Sequence, residues 1–232
     1  MCGLFGFITR NDSGPNLACL RRIAIETQER GHHAFGLAWL DRSGTVYTFK
    51  RPGPATEHLD ALHLCRDAVI VIGHCRYATH GDPKNNINNH PHPAGRGWIV
   101  HNGVVRNHAK LVSDYQLAPR GECDSEVLGL LLSRCPGPLE SRAAHTVALA
   151  DGPLAMLGVW NDPPRLLVVR RGNPLHFGQT PGGFYFGSLP GQLPGRVRAV
   201  VDYMACALTI HNGSLELQRR AITQDDVPLS CL

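Results

Sequence analysis

The amino end of the chain reads Met1-Cys2-Gly3-Leu4-Phe5-Gly6-Phe7-Ile8, and the rest of the chain is organised around this stretch. The apolar run 4–8 is typical of a buried strand, and its glycines allow close backbone approach. Trimming of Met1 would leave Cys2 with a free α-amine of pKa about 7.7–8.0 beside a thiol of pKa about 8.5. One residue would then carry both the general base and the nucleophile for attack on a carbonyl carbon.

Size and composition exclude several classes of protein. The chain has 232 residues, 43% of them hydrophobic, and a formal net charge of +4. It has no basic run and no stripe of aromatic and basic residues, so direct nucleic-acid binding is not predicted. No apolar stretch reaches the roughly 18–20 residues needed to cross a bilayer, and no signal peptide is evident. We therefore expect a cytoplasmic protein that does not contact membranes.

The cysteines and histidines do not form a recognisable metal motif. The chain contains eight cysteines, and none of them lies in a C-x-x-C pair. This distribution argues against a disulfide framework and against a structural zinc cluster. Several histidines crowd the segment 74–101, but no helical H-x-x-x-H pair or convergent cysteine accompanies them. We therefore predict no metal site and no cofactor.

The hydrophobic pattern predicts an α+β fold in one domain spanning residues 1–232. Helical spacing of apolar residues predicts helices over 16–30, 56–65, 108–115, 124–134 and 141–149. Short apolar or alternating runs predict strands over 4–8, 37–40, 45–50, 68–74, 98–101, 154–160, 165–170, 175–178, 183–188, 197–201 and 215–217. The polar segment 77–96 is predicted to be a long loop. Asp124 or Ser125 is predicted to cap a helix.

Further motifs supply chemistry that complements Cys2. Arg76 lies in Gly73-His74-Cys75-Arg76-Tyr77-Ala78-Thr79-His80-Gly81 and is a bidentate donor suited to a carboxylate. Asn102-Gly103, at the end of a strand, can aim a side-chain and a backbone N–H at one point, as an oxyanion hole requires. Asp124 can bind an ammonium group. Together these groups fit an amino acid that carries a side-chain amide.

The ordered set of motifs resembles the glutaminase domain of class-II, N-terminal-nucleophile glutamine amidotransferases. It is most similar to the glutaminase half of glucosamine-6-phosphate synthase. The matching segments, in chain order, are Cys2 to Gly6, Arg30-Gly31, Gly73 to Gly81, Asn88-Asn89-His90-Pro91-His92, His101-Asn102-Gly103, Asp124-Ser125-Glu126 and Val169 to Leu175. The resemblance covers nearly the whole chain and implies a four-layer αββα sandwich of the N-terminal-nucleophile hydrolase type.

The resemblance also implies a role for each matching residue. Cys2 would attack the side-chain amide of L-glutamine and form a glutamyl thioester, while Asn102 and Gly103 held the oxyanion. Arg76 and Asp124 would bind the substrate's α-carboxylate and α-amine, and Tyr77, Thr79 and His80 would line the pocket. The products would be glutamate and ammonia. Because no acceptor domain follows in the sequence, a separate synthetase is expected to use the ammonia.

Departures from the family pattern leave other interpretations open. His32-His33-Ala34 follows Arg30-Gly31 where the family often has an acid, and Tyr77 stands where the amino-sugar enzyme has Trp. These changes concern the acceptor side more than glutamine hydrolysis. One alternative is an N-terminal-nucleophile amidohydrolase acting on another γ-glutamyl or amide substrate. Another is an inactive domain kept for regulation or binding. The acceptor, the partner and the oligomeric state are not predicted.

Overall fold

The computed structural model describes residues 1–11, 13–211 and 213–223. Its helices are α1 (Leu17–Gln28), α2 (His108–Asp114), α3 (Ser125–Arg134) and α4 (Leu139–Leu149), with short 3₁₀ segments at Ala55–Glu57, Leu59–Cys65 and Asn86–Asn88. Its strands are β1 (Gly3–Thr9), β2 (Ala34–Asp41), β3 (Val46–Pro52), β4 (Ala68–Arg76), β5 (His92–Ala94), β6 (Gly97–Gly103), β7 (Leu154–Asn161), β8 (Pro164–Arg171), β9 (His176–Thr180), β10 (Gly183–Gly187), β11 (Arg196–Ala199), β12 (Met204–His211) and β13 (Ser214–Ala221).

The strands form two antiparallel sheets. One sheet has seven strands in the order β11-β9-β10-β1-β4-β2-β3, and the other has six in the order β13-β12-β8-β7-β6-β5. Strand β1 therefore lies in the middle of the larger sheet, paired with β10 on one side and β4 on the other. Its central position ties the amino end of the chain into the sheet, where most chain termini fray.

Three apolar clusters separate four layers. Phe5 and Phe7 of β1 pack with α1 and the 3₁₀ segments on the outer face of the larger sheet. Leu4 and Ile8 point the other way and pack against residues of the smaller sheet, such as Leu157. Helices α3 and α4 cover the far face of that second sheet. The αββα sandwich follows directly, because both faces of β1 are covered and every residue of the strand is buried.

The structure corrects several predicted elements. Strand β12 was not predicted, because its buried positions alternate among small residues with little strand preference, and pairing with β8 and β13 holds it. The predicted helix over 56–65 is instead two 3₁₀ segments. The predicted loop 77–96 contains one 3₁₀ turn and the short strand β5. Within the described residues, no helix is long and apolar enough to span a membrane.

Candidate active site

Cys2 lies just before β1 and is fixed by contacts on its backbone. The guanidinium Nε of Arg30, two residues beyond α1, donates to the Cys2 carbonyl at 2.8 Å. Two residues further along, in β1, Leu4 exchanges two hydrogen bonds with Ser188. Leu4 N donates to Ser188 Oγ and Ser188 N donates to the Leu4 carbonyl, both at 2.9 Å. The position of the thiol is therefore set by the sheet and by α1.

The thiol of Cys2 contacts the segment that follows β4. The backbone N–H of Tyr77 donates to Cys2 Sγ at 3.3 Å. Burial raises the pKa of this thiol, whereas the Tyr77 hydrogen bond, the terminal ammonium group and Arg76 oppose the increase. A nearby proton acceptor is therefore needed to generate the thiolate, and an α-amine on Cys2 itself would meet that need.

A cavity of about 190 Å³ opens beside the thiol. This volume lies below the range of about 300–1,000 Å³ that is usual for drug-sized ligands, so it suits a small molecule. Five predicted site residues line it: Cys2, Tyr77, Thr79, Asn102 and Gly103. Met1 lies at the same cavity and is 69% exposed.

The side-chain amide of Asn102 is buried at the cavity without a hydrogen-bond partner among the described residues. The residue ends β6 with no exposed surface, and this lack of a partner holds for both its side-chain nitrogen and its oxygen. Its backbone is fixed, because Asn173 Nδ2 donates to the Asn102 carbonyl at 2.8 Å. An unpartnered buried amide is costly, and this one faces a cavity that also holds a nucleophile.

Gly103 lies beside Asn102 in a conformation that favours glycine. Its φ is +154°, and a Cβ at this position would approach the Pro153 carbonyl to 2.6 Å. The absence of a side chain lets the backbone turn tightly at the cavity wall. Asn102 and Gly103, adjacent in the chain, thus both line the cavity that the Cys2 thiol borders.

Arg76 and Asp124 are close to Cys2 but do not line this cavity. Both influence the pKa of the Cys2 thiol, Arg76 lowering it and Asp124 raising it. The buried Arg76 guanidinium donates to Asn89 Oδ1 at 2.8 Å and to the carbonyls of His80 and Gly81. Access of a substrate carboxylate to Arg76 therefore requires the loop carbonyls at 80–81 to move.

Asp124 does not cap α3 in the way its position predicts. Its side chain makes no capping hydrogen bond within α3; instead, Asp124 Oδ2 accepts from the backbone N–H of Val105 at 2.7 Å. Its other oxygen lies 3.8 Å from His80 Nδ1. The carboxylate thus joins the start of α3 to the turn after β6. Of its two oxygens, Oδ1 has the more distant partner. His80 and Thr79 also contact each other through His80 Nδ1 and Thr79 Oγ1, 3.3 Å apart.

Three residues position the site although the sequence assigns them no role in it. His33 Nδ1 accepts from Ala78 N at 2.9 Å, and its ring stacks on Tyr77 with centroids 4.9 Å apart. Ser188 and Asn173 hold the backbones of Leu4 and Asn102. Their partners lie 45 to 184 residues away in the sequence, so no local pattern reveals these contacts. Arg30 and Asn173 each belong to a motif that the sequence shares with the family.

Two buried histidines underlie the end of β6. His101 Nδ1 lies 2.8 Å from Ser125 Oγ, and His74 Nε2 donates to the His101 carbonyl at 3.0 Å. Burial lowers the pKa of His74 to about 3 and that of His101 to about 4. Both imidazoles are therefore neutral near pH 7 and support the cavity wall without adding charge.

This arrangement of two stacked antiparallel sheets, with a cysteine just before the start of a central strand, is that of the N-terminal-nucleophile hydrolases. The model for the family "Glutamine amidotransferases class-II" matches residues 1–149. The chain thus belongs to the class-II glutamine amidotransferases. This assignment agrees with the family resemblance carried by the ordered motifs.

Similar proteins include bacterial glutamine–fructose-6-phosphate aminotransferases (isomerizing). That of Leifsonia xyli is 32% identical over 90% of this chain and 34% of the relative, and that of Gluconobacter oxydans is 35% identical over 81% and 32%. The chain spans about a third of the length of these relatives.

Among solved structures, glutamine phosphoribosylpyrophosphate amidotransferase from B. subtilis superposes with a TM-score of 0.75 at 21% identity, covering 94% of this chain and 49% of that one. A glutamine aminotransferase class-II domain protein from Silicibacter pomeroyi superposes with a TM-score of 0.63 at 17% identity, covering 96% of this chain and all of that one. At these identities the likeness supports the fold alone.

Proposed function

We propose that this chain hydrolyses the side-chain amide of L-glutamine through Cys2 and releases glutamate and ammonia. The observation that carries the proposal is the cavity shared by the Cys2 thiol and the unpartnered amide of Asn102. A nucleophile and an unused hydrogen-bond donor at one small cavity are the two components that acyl transfer requires. Family membership supplies the substrate class.

The reaction starts when Met1 is removed and the α-amine of Cys2 is free. The amine takes the thiol proton, and the thiolate attacks the carboxamide carbon of glutamine. Asn102 Nδ2 and the Gly103 N–H hold the resulting oxyanion. The ammonium group of Cys2 returns its proton to the departing nitrogen, so ammonia leaves and a glutamyl thioester remains. Water, deprotonated by the same amine, then cleaves the thioester to glutamate and restores the thiol.

Substrate binding would rearrange the loop that follows β4. In the proposal, the α-carboxylate of glutamine replaces the carbonyls of His80 and Gly81 on the Arg76 guanidinium, because a carboxylate is a stronger acceptor than a carbonyl. The α-ammonium group approaches Oδ1 of Asp124, and Tyr77, Thr79 and His80 close over the substrate. This ordering step would make hydrolysis depend on both α groups.

We also propose that the ammonia is consumed by an acceptor enzyme in another chain. The cavity of about 190 Å³ has room for one small molecule, which supports an acceptor site outside it. The named relatives are aminotransferases that act on fructose 6-phosphate, but these relatives extend well beyond the region matched here. The acceptor chemistry of this chain is therefore left open in the proposal.

Replacement of Cys2 tests the assignment directly. We expect Cys2→Ala to abolish glutamate release from glutamine, because no other group takes over the attack. The protein before mutation should lack Met1 by intact mass, and a diazoketone analogue of glutamine should label Cys2 in a peptide map. Cys19→Ala is the matched control, since Cys19 is another partly exposed thiol and lies on α1. Undiminished hydrolysis by Cys2→Ala would refute the proposal.

A substrate panel separates glutaminase activity from the alternatives. Binding through Arg76 and Asp124 requires both α groups, so glutamine derivatives that lack either one should be poor substrates. Efficient cleavage of such derivatives would instead favour a broader amidohydrolase. Failure to label Cys2 in protein that has lost Met1 would favour an inactive binding domain.

A further inference from the structure

The fold brings two histidines and a cysteine together at a point that the sequence does not predict. His90 and His92 flank Pro91 at the end of the loop after β4, and Cys123 lies just before α3. One potential ligand atom from each residue lies within 4.8 Å of the others. All three side chains are buried, with exposed fractions of 3%, 1% and 5%. No metal site is predicted from the sequence, because Cys123 is 31 positions away from His92.

Three of the four ring nitrogens of this cluster lack partners within the described part of the chain. Both nitrogens of His90 and the Nε2 atom of His92 are buried without a hydrogen bond. Buried polar atoms of this kind cost free energy unless something binds them, and three such atoms around one thiol form an unusual concentration. The His90 ring also stacks on His74 at a centroid distance of 3.9 Å, which limits its rotation.

We propose that His90, His92 and Cys123 bind a zinc ion. Imidazole nitrogen and thiolate sulfur are the ligands that Zn²⁺ prefers, and three protein ligands leave one position of the tetrahedron for water. With Zn–N of about 2.0–2.1 Å and Zn–S of about 2.3 Å, tetrahedral ligand atoms lie roughly 3.3–3.7 Å apart. The cluster needs to contract by about 1 Å, which rotation of the His92 and Cys123 side chains toward the fixed His90 ring would supply. Binding releases the Cys123 thiol proton to solvent.

Charged groups of both signs lie near the cluster. Lys50 and Arg76 lie on one side and disfavour a cation, whereas the Asp124 carboxylate lies next to Cys123 and favours one. The Ser125 backbone and hydroxyl groups donate toward the Cys123 sulfur and stabilise a thiolate. Zinc bound to one thiolate carries a net charge of +1, and the Asp124 carboxylate next to Cys123 offsets part of it.

The cluster borders a second cavity through one of its residues. His92 lines a cavity of about 230 Å³, together with Lys50, Trp98, Arg120 and Glu126. A bound ion would join the end of the loop at His90 to the start of α3 at Cys123. The same loop carries Asn89, which holds Arg76, so the ion would stabilise the segment that borders the Cys2 cavity.

The test uses the full-length Cys2→Ala protein, because an N-terminal cysteine is itself a metal chelator. After equilibration with Zn²⁺ and gel filtration, we expect about one zinc per chain by elemental analysis, as for other three-ligand sites. Co²⁺ in place of zinc should give the near-ultraviolet charge-transfer band of a cobalt–thiolate bond. Adding Cys123→Ser should remove that band and lower zinc affinity at least tenfold. Mg²⁺ should not compete, because it prefers oxygen ligands.

Matched controls keep the result interpretable. Cys65→Ser in the same background removes another buried thiol, remote from His90, and should leave zinc content and the cobalt band unchanged. If Cys123→Ser does not fold, the cobalt spectrum of the Cys2→Ala protein still decides, since a zinc site built from Cys123 must show a thiolate band. Absence of that band, or its survival in Cys123→Ser, would overturn the proposal.

Discussion

At the scale of single residues, the candidate site depends on side chains whose positions are fixed before a substrate arrives. Arg30 holds the backbone of Cys2, and Asn173 holds the backbone of Asn102. The Asn102 side chain is left without a partner, although it is fully buried. Such preorganisation is effective in catalysis because the donor need not reorient when charge develops on the substrate.

Removing the Asn102 amide should impair the chemical step selectively. We expect Asn102→Ala to lower kcat for glutamine hydrolysis by about 10²–10³, the usual loss for one oxyanion donor, with little change in KM. Stability should change little, since the side chain makes no hydrogen bond to the described residues. Steady-state kinetics with circular dichroism would measure both effects. Asn161→Ala, on a distant part of β7, serves as the control, and equal losses in the two variants would contradict the oxyanion role.

The buried imidazole of His101 should make stability depend on pH. Its pKa is about 4 in the folded chain, against about 6.5 when unfolded. The unfolded state therefore takes up a proton first as the pH falls. The free energy of unfolding should drop by up to about 1.4 kcal/mol per pH unit between pH 6.5 and 4, or about 3 kcal/mol in all, from this group.

Urea unfolding at several pH values would measure this contribution. His101→Gln removes the titrating group and keeps a polar side chain beside Ser125, so its stability profile should be flatter than that of the unmodified protein below pH 6.5. His63→Gln, at an exposed position, should leave the profile unchanged. If the free energy of unfolding depended on pH in the same way in all three proteins, His101 would not be the source of the pH dependence.

At the scale of elements, Asp124 links α3 to the turn that follows β6. One carboxylate oxygen accepts from the Val105 N–H, so the residue helps place Asn102 and Gly103 as well as a substrate amine. Its sequence position suggests only a helix cap or an ammonium ligand. The contact with Val105 spans 19 residues and arises only because α3 packs against β6, which local sequence does not reveal.

Substitution by asparagine separates these two tasks. Asp124→Asn keeps an oxygen acceptor for the Val105 N–H, so the free energy of unfolding should change by less than about 1 kcal/mol. Loss of the charge removes the attraction for the α-ammonium group, worth about 1.5–3 kcal/mol, so kcat/KM for glutamine should fall about 10- to 100-fold. Glutaminase kinetics of Asp124→Asn and of the neighbouring control Glu122→Gln would test this. An unchanged kcat/KM would exclude Asp124 from amine binding.

At the scale of the whole molecule, the stacked sheets explain why much of the fold was predictable. The apolar runs in β1 and β4 are covered on both faces, and their composition signals this directly. Motif order identified five of the residues that line the Cys2 cavity. Strand β12 and the cluster of His90, His92 and Cys123 were missed, because pairing and packing between distant segments create them. The single-domain assignment and the cytoplasmic location stay predictions.

The proposal that a second chain uses the ammonia predicts a measurable effect on the rate of glutamine hydrolysis. We expect the isolated protein to hydrolyse glutamine slowly, since the loop after β4 occupies Arg76 with its own carbonyls. A partner that binds beside this loop would release Arg76 and raise kcat/KM. Glutamate release should therefore increase on adding a synthetase that forms a complex with this chain. No stimulation by a partner that demonstrably binds would contradict this scheme.

The central position of β1 has a practical outcome for anyone handling the protein. A peptide fused ahead of Met1 would emerge through the mouth of the cavity at Cys2, because the strand that follows is fixed between β4 and β10. Such a fusion would keep the fold and a normal melting curve, but the nitrogen of Cys2 would stay in an amide bond and could not act as the base in the proposed reaction. Affinity tags should therefore be placed at the carboxyl terminus. Lack of activity in a protein tagged at its amino terminus would reflect the tag and would not test the proposed reaction.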